Sequence, residues 1–408
     1  MLVVGAKSTS LLGDEVAAVA LVLRLQSHGA GPGAVAALLT ATMLPMLLLA
    51  GVVGRLVDRY DSRRLLVTSS VAQGAVCTGL AFVDSATAVL MLVAALGAGQ
   101  AVNGGTWQAL LPAIAGKDGL PRAVGLSQAG TTAAGIAAPA IGGLLTGVYG
   151  ARVPLLVDAV TFLAVTAAGL LITTRRAAVP AQPGVRLHGG LHLVRTDPLL
   201  RMLLLLLGLF VTIGAMVNVV EVFLVRETLH ASTTWYGIVG ASFGVGLLAG
   251  SLAGGRLGGD RQLARAFVAA AAGLSLAIAS MAAAPTVLWL LPASFAVGFA
   301  NAVLNVALGS LVMGHAAPEQ RGRVGAVLNG VASGTQLGAY ALGATLAVAL
   351  TPRQIFAVAG MCGLLAPAVL GRALIRAAGA DTGGDADAAL PYPAVAAVAS
   401  QAANASKE

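Results

Sequence analysis

The charged segment at residues 54–64, which reads GRLVDRYDSRR, decides the fold because it separates two long apolar runs. The run before it covers residues 34–56, and the run after it covers residues 64–83. An apolar α-helix needs about 20 residues to cross the roughly 30 Å hydrocarbon layer of a membrane. Both runs have this length, so the segment is typical of a tight, charged turn between two membrane-spanning helices.

Runs of this length recur along the whole chain and are separated by short stretches of turn-forming residues. The sequence therefore predicts an all-α membrane protein, in which each span satisfies its own backbone hydrogen bonds. The twelve predicted transmembrane helices cover residues 2–26, 34–56, 64–83, 86–111, 123–148, 153–174, 199–225, 234–257, 263–284, 286–312, 324–350 and 353–375.

The composition of the chain agrees with a membrane protein. Of its 408 residues, 58% are apolar and 10% are charged, and the mean hydropathy is +0.89. Soluble domains carry about 25% charged residues, so these charges cannot cover the surface of a soluble fold. The composition excludes a soluble enzyme, a disordered protein and a nucleic-acid binder. Two cysteines, Cys77 and Cys362, are too few for a disulfide framework or a zinc site.

Basic residues are distributed unevenly between the two sides of the predicted membrane. If the N-terminus is cytoplasmic, nineteen Lys and Arg residues lie in the inner loops and the tail, and four lie in the outer loops, namely Arg24, Arg152, Arg226 and Arg353. Cytoplasmic loops carry the excess of Lys and Arg in membrane proteins. We therefore expect both termini in the cytoplasm and attribute the net charge of +8 to topology.

The first span begins almost at Met1, with neither a basic start nor a clear cleavage site, so we do not expect a cleavable signal peptide. This start is consistent with a slightly truncated N-terminus. The high content of Arg over Lys and of Ala suggests a bacterial source, and thus a location in the bacterial inner membrane.

The chain divides into two halves around a polar stretch. We predict an N-terminal six-helix bundle at residues 1–174, a cytoplasmic linker at 175–198, a C-terminal six-helix bundle at 199–376 and a disordered cytoplasmic tail at 377–408. The halves share weak similarity, since LLAG at 48–51 recurs at 247–250 and residues 122–145 align with 323–346. Internal repeats of this kind predict two bundles with pseudo-two-fold symmetry around a central cavity.

The segment at 54–64 also predicts a charged contact at the cytoplasmic face. Gly54 allows close helix approach, and Asp58 and Asp61 stand where one helix ends and the next begins, so Asp61 meets a positive helix end. Three basic residues can pair with these acids, namely Arg59, Arg63 and Arg64. The alternative is a plain basic loop without a gating role.

This G-x-L-x-D-R-x-x-x-R-R pattern resembles the loop signature of the major facilitator superfamily, although Asp61 stands where the common form has glycine. The resemblance implies a secondary transporter with twelve spans in two six-helix bundles. It covers residues 1–376.

The fifth span resembles a narrower branch of that superfamily, the enterobactin exporters and macrolide-efflux proteins. Its segment GIAAPAIGG is similar to an antiporter motif, with Gly135, Pro139, Gly142 and Gly143 at the matching positions and Ala138 in place of a glycine. This resemblance implies export by exchange with protons.

Small residues also form smooth helix faces. Gly135, Ala138 and Gly142 share one face of span five, and a stripe at Gly246, Gly250 and Gly254 lies on span eight. We expect these faces to form a sliding contact between the two bundles, and Pro139 to kink its helix. The alternative is close packing without a role in gating.

Four acids lie within the predicted spans, where an ionised side chain costs at least about 2.5 kcal/mol. Asp14 and Glu15 sit near the middle of span one, and such neighbours compete to ionise, so either can load and release a proton. We predict that they couple protons to transport; the alternative is static ion pairing. Glu221 either lines the cavity or pairs with Arg226, and Asp158 has a structural role.

Neutral polar residues repeat at helical spacing and suit a wet cavity with aromatic contacts. The alternative for them is hydrogen bonding between helices. The predicted substrate-cavity residues are Gln100, Asn103, Trp107, Gln128, Asn218, Glu221, Asn301, Asn305, Asn329, Gln336 and Tyr340.

No nucleotide-binding or metal-binding motif occurs in the sequence, so we expect no cofactor, no metal and an ion gradient as the energy source. The sequence and the resemblance together predict a monomeric, proton-coupled exporter of small amphipathic molecules such as drugs, natural products or siderophores. Its partners are the substrate, protons and the lipid bilayer, without nucleic acid. One alternative is proton-coupled uptake of a metabolite; another, a membrane sensor or enzyme, lacks a clustered nucleophile and base or a large soluble domain.

Overall fold

A computed structural model of the chain describes residues 2–171, 197–315 and 320–380. These residues form twelve helices that we number in chain order. The helices are α1 (Leu2–Ser27), α2 (Pro32–Arg59), α3 (Ser62–Phe82), α4 (Ala86–Gly116), α5 (Gly119–Tyr149), α6 (Arg152–Leu170), α7 (Pro198–Phe223), α8 (Thr233–Gly254), α9 (Asp260–Ala282), α10 (Val287–His315), α11 (Arg321–Ala349) and α12 (Pro352–Ala380).

The predicted all-α fold is confirmed, because each predicted span coincides with one helix to within a few residues. Ten helices are long and apolar enough to cross a membrane, and the two others are α1 and α11. α1 carries Lys7, Asp14 and Glu15 within its length, and α11 is rich in Gly and Ala with few large apolar side chains. The predicted linker, apart from Asp197 and Pro198, and the tail beyond Ala380 lie outside the described residues.

Helix ends follow local sequence chemistry. Asp61 and Asp197 precede α3 and α7, and their carboxylates accept hydrogen bonds from the first free backbone N–H groups of these helices. Pro32 and Pro198 occupy first helical positions, where no backbone donor is needed. Gly116 has a φ of 66°, a conformation that favours glycine, and it separates α4 from α5.

Short loops make consecutive helices antiparallel, so their ends gather at two faces of the molecule. We call the face that contains Leu170 and Pro198 the linker face, and the face that contains residues 28–31 and 229–232 the opposite face. Odd-numbered helices begin at the linker face and even-numbered helices end there.

Buried side chains form two main clusters that correspond to the two predicted six-helix bundles. One joins residues of α7 to α12, with Leu203, Phe267 and Phe356 fully or almost fully buried. The other joins α1, α2, α3, α4 and α6, with Phe162 and Leu80 fully buried, and it also includes Val222 and Phe223 from the end of α7. The two bundles confirm the predicted architecture; the exact domain limits stay a prediction.

The contact between the bundles uses a different face of α8 from the one predicted. Gly246 and Gly250 pack against the backbone of Phe295 and Phe299, so the predicted stripe joins α8 to α10 within one bundle. Gly142 likewise packs against α1, where a Cβ would lie 3.0 Å from that of Val19. The prediction for these residues was wrong because composition alone does not tell which neighbour covers a smooth face.

The bundles meet instead through Gly237, Gly240 and Gly244 of α8, which pack on Pro139 and Gly143 of α5. A Cβ on Gly143 would lie 2.9 Å from the Cα of Gly237, and one on Gly244 would lie 2.8 Å from the carbonyl oxygen of Gly135. Backbones approach this closely only where side chains are absent.

Further contacts between the bundles also lie near the opposite face. Ala36, Leu39 and Met43 of α2 pack into the C-terminal cluster. Gln26 at the end of α1 donates to Glu227 (3.2 Å) and accepts from Arg226 (3.4 Å), both just beyond α7. The bundles are thus joined in the half of the molecule next to the opposite face.

Candidate functional site

A cavity of about 480 Å³ lies on the N-terminal bundle, on the linker-face side of the contacts that join the bundles. Four helices supply its wall. The lining residues are Lys7, Leu11, Asp14, Glu15, Met46, Gln100, Gly104, Trp107, Gln108, Leu111, Val124, Ser127, Gln128 and Thr131. The two predicted proton-coupling acids and three of the predicted cavity residues, Gln100, Trp107 and Gln128, therefore share one surface.

Asp14 and Glu15 occupy different environments on this wall. Glu15 is exposed, whereas Asp14 is half-buried and has one carboxylate oxygen that is buried without a hydrogen-bond partner. Gln100 lies beside the Asp14 carboxyl group. The charged neighbours of Asp14 include Lys7 and Asp158. Neither Asp14 nor Glu15 forms an ion pair within the described residues.

Lys7, the base in the first half of α1, is tied to the bundle interior. The Lys7 ammonium donates to Asn103 Oδ1 at 2.8 Å, and Asn103 donates in turn to Ser70 and Gln73 at 3.2 Å each. Asn103 is 1% exposed, so it supports Lys7 from behind and does not line the cavity as predicted. The sequence analysis placed Asn103 in the cavity because it lies three residues after Gln100. Residues at this spacing point in similar but not identical directions, and of these two only Gln100 lines the cavity.

Asp158 lies fully buried behind Asp14. It accepts a hydrogen bond from the thiol of Cys77 (3.2 Å) and one from the hydroxyl of Thr161 (3.2 Å). α1 passes it at Gly13, where a Cβ would lie only 2.6 Å from Asp158 Oδ1. The absence of a side chain at Gly13 therefore lets α1 pack directly against the Asp158 carboxyl group, one residue before Asp14.

A second cavity of about 200 Å³ lies on the C-terminal bundle and contains no ionisable side chain. It is lined by Leu207, Phe210, Val211, Gly214, Ala215, Asn218, Phe267, Leu274, Asn301, Leu304, Asn305, Leu308 and Gln336. Four predicted cavity residues are among them, namely Asn218, Asn301, Asn305 and Gln336.

The two cavities occupy equivalent positions in the two repeats. Lys7, Leu11, Asp14 and Glu15 have counterparts 200 residues later in Leu207, Val211, Gly214 and Ala215, and all eight line a cavity. Gln100, Gly104 and Trp107 likewise correspond to Asn301, Asn305 and Leu308, 201 residues later. The pseudo-two-fold relation therefore holds for the walls, but only the N-terminal wall is charged.

Three other predicted cavity residues lie outside both cavities. Tyr340 is 4% exposed and its hydroxyl accepts from Gln336 Nε2 at 2.7 Å. Asn329 donates to the Gly325 carbonyl of its own helix at 3.0 Å. Glu221 lies close to Tyr236 on α8. The Arg226 guanidinium donates to the Ala231 carbonyl (2.6 Å) and to Gln26, not to Glu221.

The charged turn after α2 is arranged differently from the prediction. Asp61 accepts backbone hydrogen bonds from Arg63 and Arg64 at 2.8 and 3.1 Å, as its position before α3 predicts. The Arg63 side chain instead donates to the last carbonyl groups of α6, at Gly169 and Leu170. Within the described residues, Asp58 and Arg59 form no ion pair.

Gly54 also departs from the prediction, because no other atom lies within 4 Å of the place where its Cβ would stand. Close helix approach at this position is therefore not required in the conformation described.

Comparison with known families identifies the fold. The sequence profile described as Major Facilitator Superfamily matches residues 4–332 and again 204–400. The chain belongs to the major facilitator superfamily. A search of the curated proteins finds no match.

Several solved transporter structures share the fold of this chain at low sequence identity. The nucleoside transporter NupG superposes with a TM-score of 0.69 at 13% identity, covering 93% of this chain and 98% of that one. A bacterial homologue of the human lysosomal transporter Spinster, inward-facing and occupied, gives 0.68 at 13% over 93% and 94%. A bacterial homologue of the iron transporter ferroportin, inward-facing, gives 0.70 at 13% over 92% and 98%. Membership of the major facilitator superfamily makes the chain a membrane transporter rather than an enzyme.

Sequence reasoning placed Lys7 on the same face of α1 as Asp14, since it precedes Asp14 by seven residues, but it did not identify the partner of Lys7. The distant partner Asn103, 96 residues away, could not be read from that spacing.

Proposed function

We propose that this transporter is a proton-coupled exporter that exchanges protons for small amphipathic molecules by alternating access. The observation that carries the proposal is the pair Asp14 and Glu15 on the wall of the N-terminal cavity, without an ion-pair partner among the described residues. A carboxylate kept at mid-membrane depth is costly and marks an ion or proton pathway in membrane proteins.

In this mechanism, protons and substrate compete for the same wall. When the cavity opens to the linker face, ionised Asp14 and Glu15 favour entry of a cationic or polar amphipathic molecule. When the cavity opens to the other side, protons arriving from outside neutralise the acids and the substrate leaves. Protonated acids then permit return of the empty cavity, because their desolvation cost is lower.

Lys7 supports this role as a fixed counter-charge. Its ammonium, bonded to Asn103, lies near both Asp14 and Asp158, so it limits the net negative charge of the bundle interior. The group Lys7, Asp14 and Asp158 carries one excess negative charge when all three are ionised, which favours the uptake of one cation or one proton.

Alternating access requires contacts between the bundles that can form and separate. The glycine faces of α5 and α8 supply such a contact near the opposite face, since α8 contributes only glycines at Gly237, Gly240 and Gly244. We further propose that the linker face is cytoplasmic, that the chain resides as a monomer in the bacterial inner membrane, and that it belongs to the branch of enterobactin and macrolide exporters. The basic inner loops support this orientation.

The proposal is tested in a bacterial host that lacks its main drug pumps. Expression of the wild-type chain should raise the inhibitory concentration of at least one drug in a panel, and a protonophore should abolish the gain. Addition of that drug to everted vesicles should release protons, which a pH-sensitive dye reports. Asp14→Asn and Glu15→Gln should lose proton release, whereas Asp84→Asn, an acid exposed at the opposite face, should retain it.

Proton release that persists unchanged in both Asp14→Asn and Glu15→Gln would eliminate these acids as the coupling groups.

Proton-coupled uptake, the second candidate, is favoured by the same charged wall, since a metabolite cation fits it equally well. It predicts the opposite sign: a protonophore would lower the accumulation of the substrate in cells instead of raising it.

A further inference from the structure

The C-terminal cavity holds four carboxamide side chains, which we call the carboxamide cluster: Asn218, Asn301, Asn305 and Gln336. We propose that this cluster binds an uncharged planar group of the substrate that both donates and accepts hydrogen bonds, such as a carboxamide, a urea or a lactam on a single ring. The inference rests on the proposed transport function and specifies which substrates it accepts.

The hydrogen bonds within the cluster leave some donor N–H groups and some acceptor oxygens without a partner. Asn305 Nδ2 donates to the Asn301 side chain at 2.7 Å, and Gln336 Nε2 donates to Tyr340 at 2.7 Å. Within the described residues, this leaves the amide oxygens of Asn305 and Gln336, the amide nitrogen of Asn301 and the whole Asn218 amide without partners. A ligand group with one donor next to one acceptor satisfies such a set, whereas an acceptor alone does not.

The lining of the cavity offers no counter-ion to a charged ligand group. None of its lining residues is ionisable, and Phe210, Phe267 and Leu274 supply apolar surface. A charge that is desolvated there would lack a counter-ion, and burial of an unpaired charge is strongly unfavourable. The lining therefore favours a neutral group over a charged one.

The volume of the cavity is enough for one ring. Its volume is about 200 Å³, and an apolar protein cavity of about 150 Å³ holds one benzene molecule. A substituted six-membered ring with a carboxamide therefore fits within this volume.

Comparison of equivalent positions in the two repeats explains why the substrate group is recognised by the C-terminal wall. Asp14 corresponds to Gly214 and Lys7 to Leu207, so the charged residues of one repeat are replaced by uncharged ones in the other. Gln100 and Asn301, in contrast, keep the carboxamide on both sides. The two walls thus have different roles. The N-terminal wall binds protons, and the C-terminal wall recognises the hydrogen-bonding groups of the substrate.

The test compares two probes of nearly equal size, benzamide and methyl benzoate, because the ester has no N–H donor. Binding to the purified full-length chain in lipid nanodiscs is titrated by ligand-observed NMR. Benzamide should bind about fivefold to tenfold more tightly than methyl benzoate, the factor expected for about one net hydrogen bond. The double variant Asn218→Leu, Asn301→Leu should reduce this ratio to below about twofold.

The control is Gln262→Leu, which removes an exposed carboxamide at the start of α9 outside the cavity and should keep the wild-type ratio. If the double variant does not fold, the single variant Asn218→Leu serves instead: it removes one acceptor oxygen of the cluster and should lower the preference for benzamide over methyl benzoate. Equal affinity of the wild type for both probes, or no binding of benzamide, overturns the inference.

The outcome separates this inference from the proposed function. Loss of the benzamide preference with intact, Asp14-dependent proton release refutes only the carboxamide cluster as a subsite. A clear preference for benzamide together with transport that does not respond to protons refutes only the coupling scheme.

Discussion

Gly237→Ala is expected to disfavour the conformation described, because it adds one methyl group at the tightest contact between the bundles. The new Cβ would overlap the Pro139 carbonyl oxygen and lie 3.1 Å from the Cα atoms of Ala140 and Gly143. These are backbone atoms, so they cannot rotate away as the end of a flexible side chain can. The helices α5 and α8 must separate at this point.

The size of the effect follows from the cost of overpacking. Inserting a methyl group into a well-packed contact costs about 1–3 kcal/mol, and the cost applies only while the bundles are closed at the opposite face. A differential free energy of this size changes a conformational equilibrium about 5- to 150-fold. Transport should fall because the bundles no longer close fully at that face.

The equilibrium is measured as a distance distribution between spin labels at His28 and Thr286, which are exposed in loops of different bundles at the opposite face. Gly237→Ala should shift the distribution to longer distances. Gly273→Ala is the matched control, since no atom lies within 4 Å of its Cβ position; both changes add the same helix propensity. Identical distributions for the wild type and Gly237→Ala would refute the reasoning.

Three further changes act on stability within the N-terminal bundle and are read from the thermal unfolding midpoint of the purified protein. Gly13→Ala places a Cβ 2.6 Å from Asp158 Oδ1 and should destabilise the fold by about 1–3 kcal/mol. Lys7→Met leaves the Asn103 oxygen buried without its donor and should cost about 1–3 kcal/mol, partly recovered when Asn103→Leu is added. Arg63→Gln removes donors to the last carbonyl groups of α6 and should cost about 0.5–1.5 kcal/mol.

Matched variants check the expectations for Gly13→Ala and Arg63→Gln. Gly5→Ala adds a methyl group to the same helix in open space and should not lower the midpoint. Arg64→Gln removes an exposed charge whose side chain forms no hydrogen bond within the described residues. Midpoints of Gly13→Ala or Arg63→Gln that equal those of their controls would contradict the packing and capping roles.

The spacing of apolar residues was enough to locate the helices. A run of about 20 apolar residues has one stable arrangement in a membrane, since only a helix bonds all of its backbone groups internally. Local chemistry also sufficed at helix ends, as at Asp61, where the carboxylate reaches only the next few N–H groups. These features depend on residues close together in the sequence.

Helix faces were predicted less well. The sequence marked Gly246, Gly250 and Gly254 as a smooth stripe, but Gly237, Gly240 and Gly244 meet the other bundle. Both sets have small-residue spacing on one helix, so only the positions of α5 and α10 around α8 distinguish them.

The sequence by itself determined the class of protein, its twelve helices, the two acids in the middle of α1 and the carboxamides at helical spacing, because composition and periodicity are properties of single segments. Only the tertiary structure decided that Lys7 bonds to Asn103, that Arg63 binds the end of α6, and which polar residues line a cavity. Each of these depends on how helices distant in sequence rotate and pack against one another, and many rotations place a given polar residue within reach of some partner.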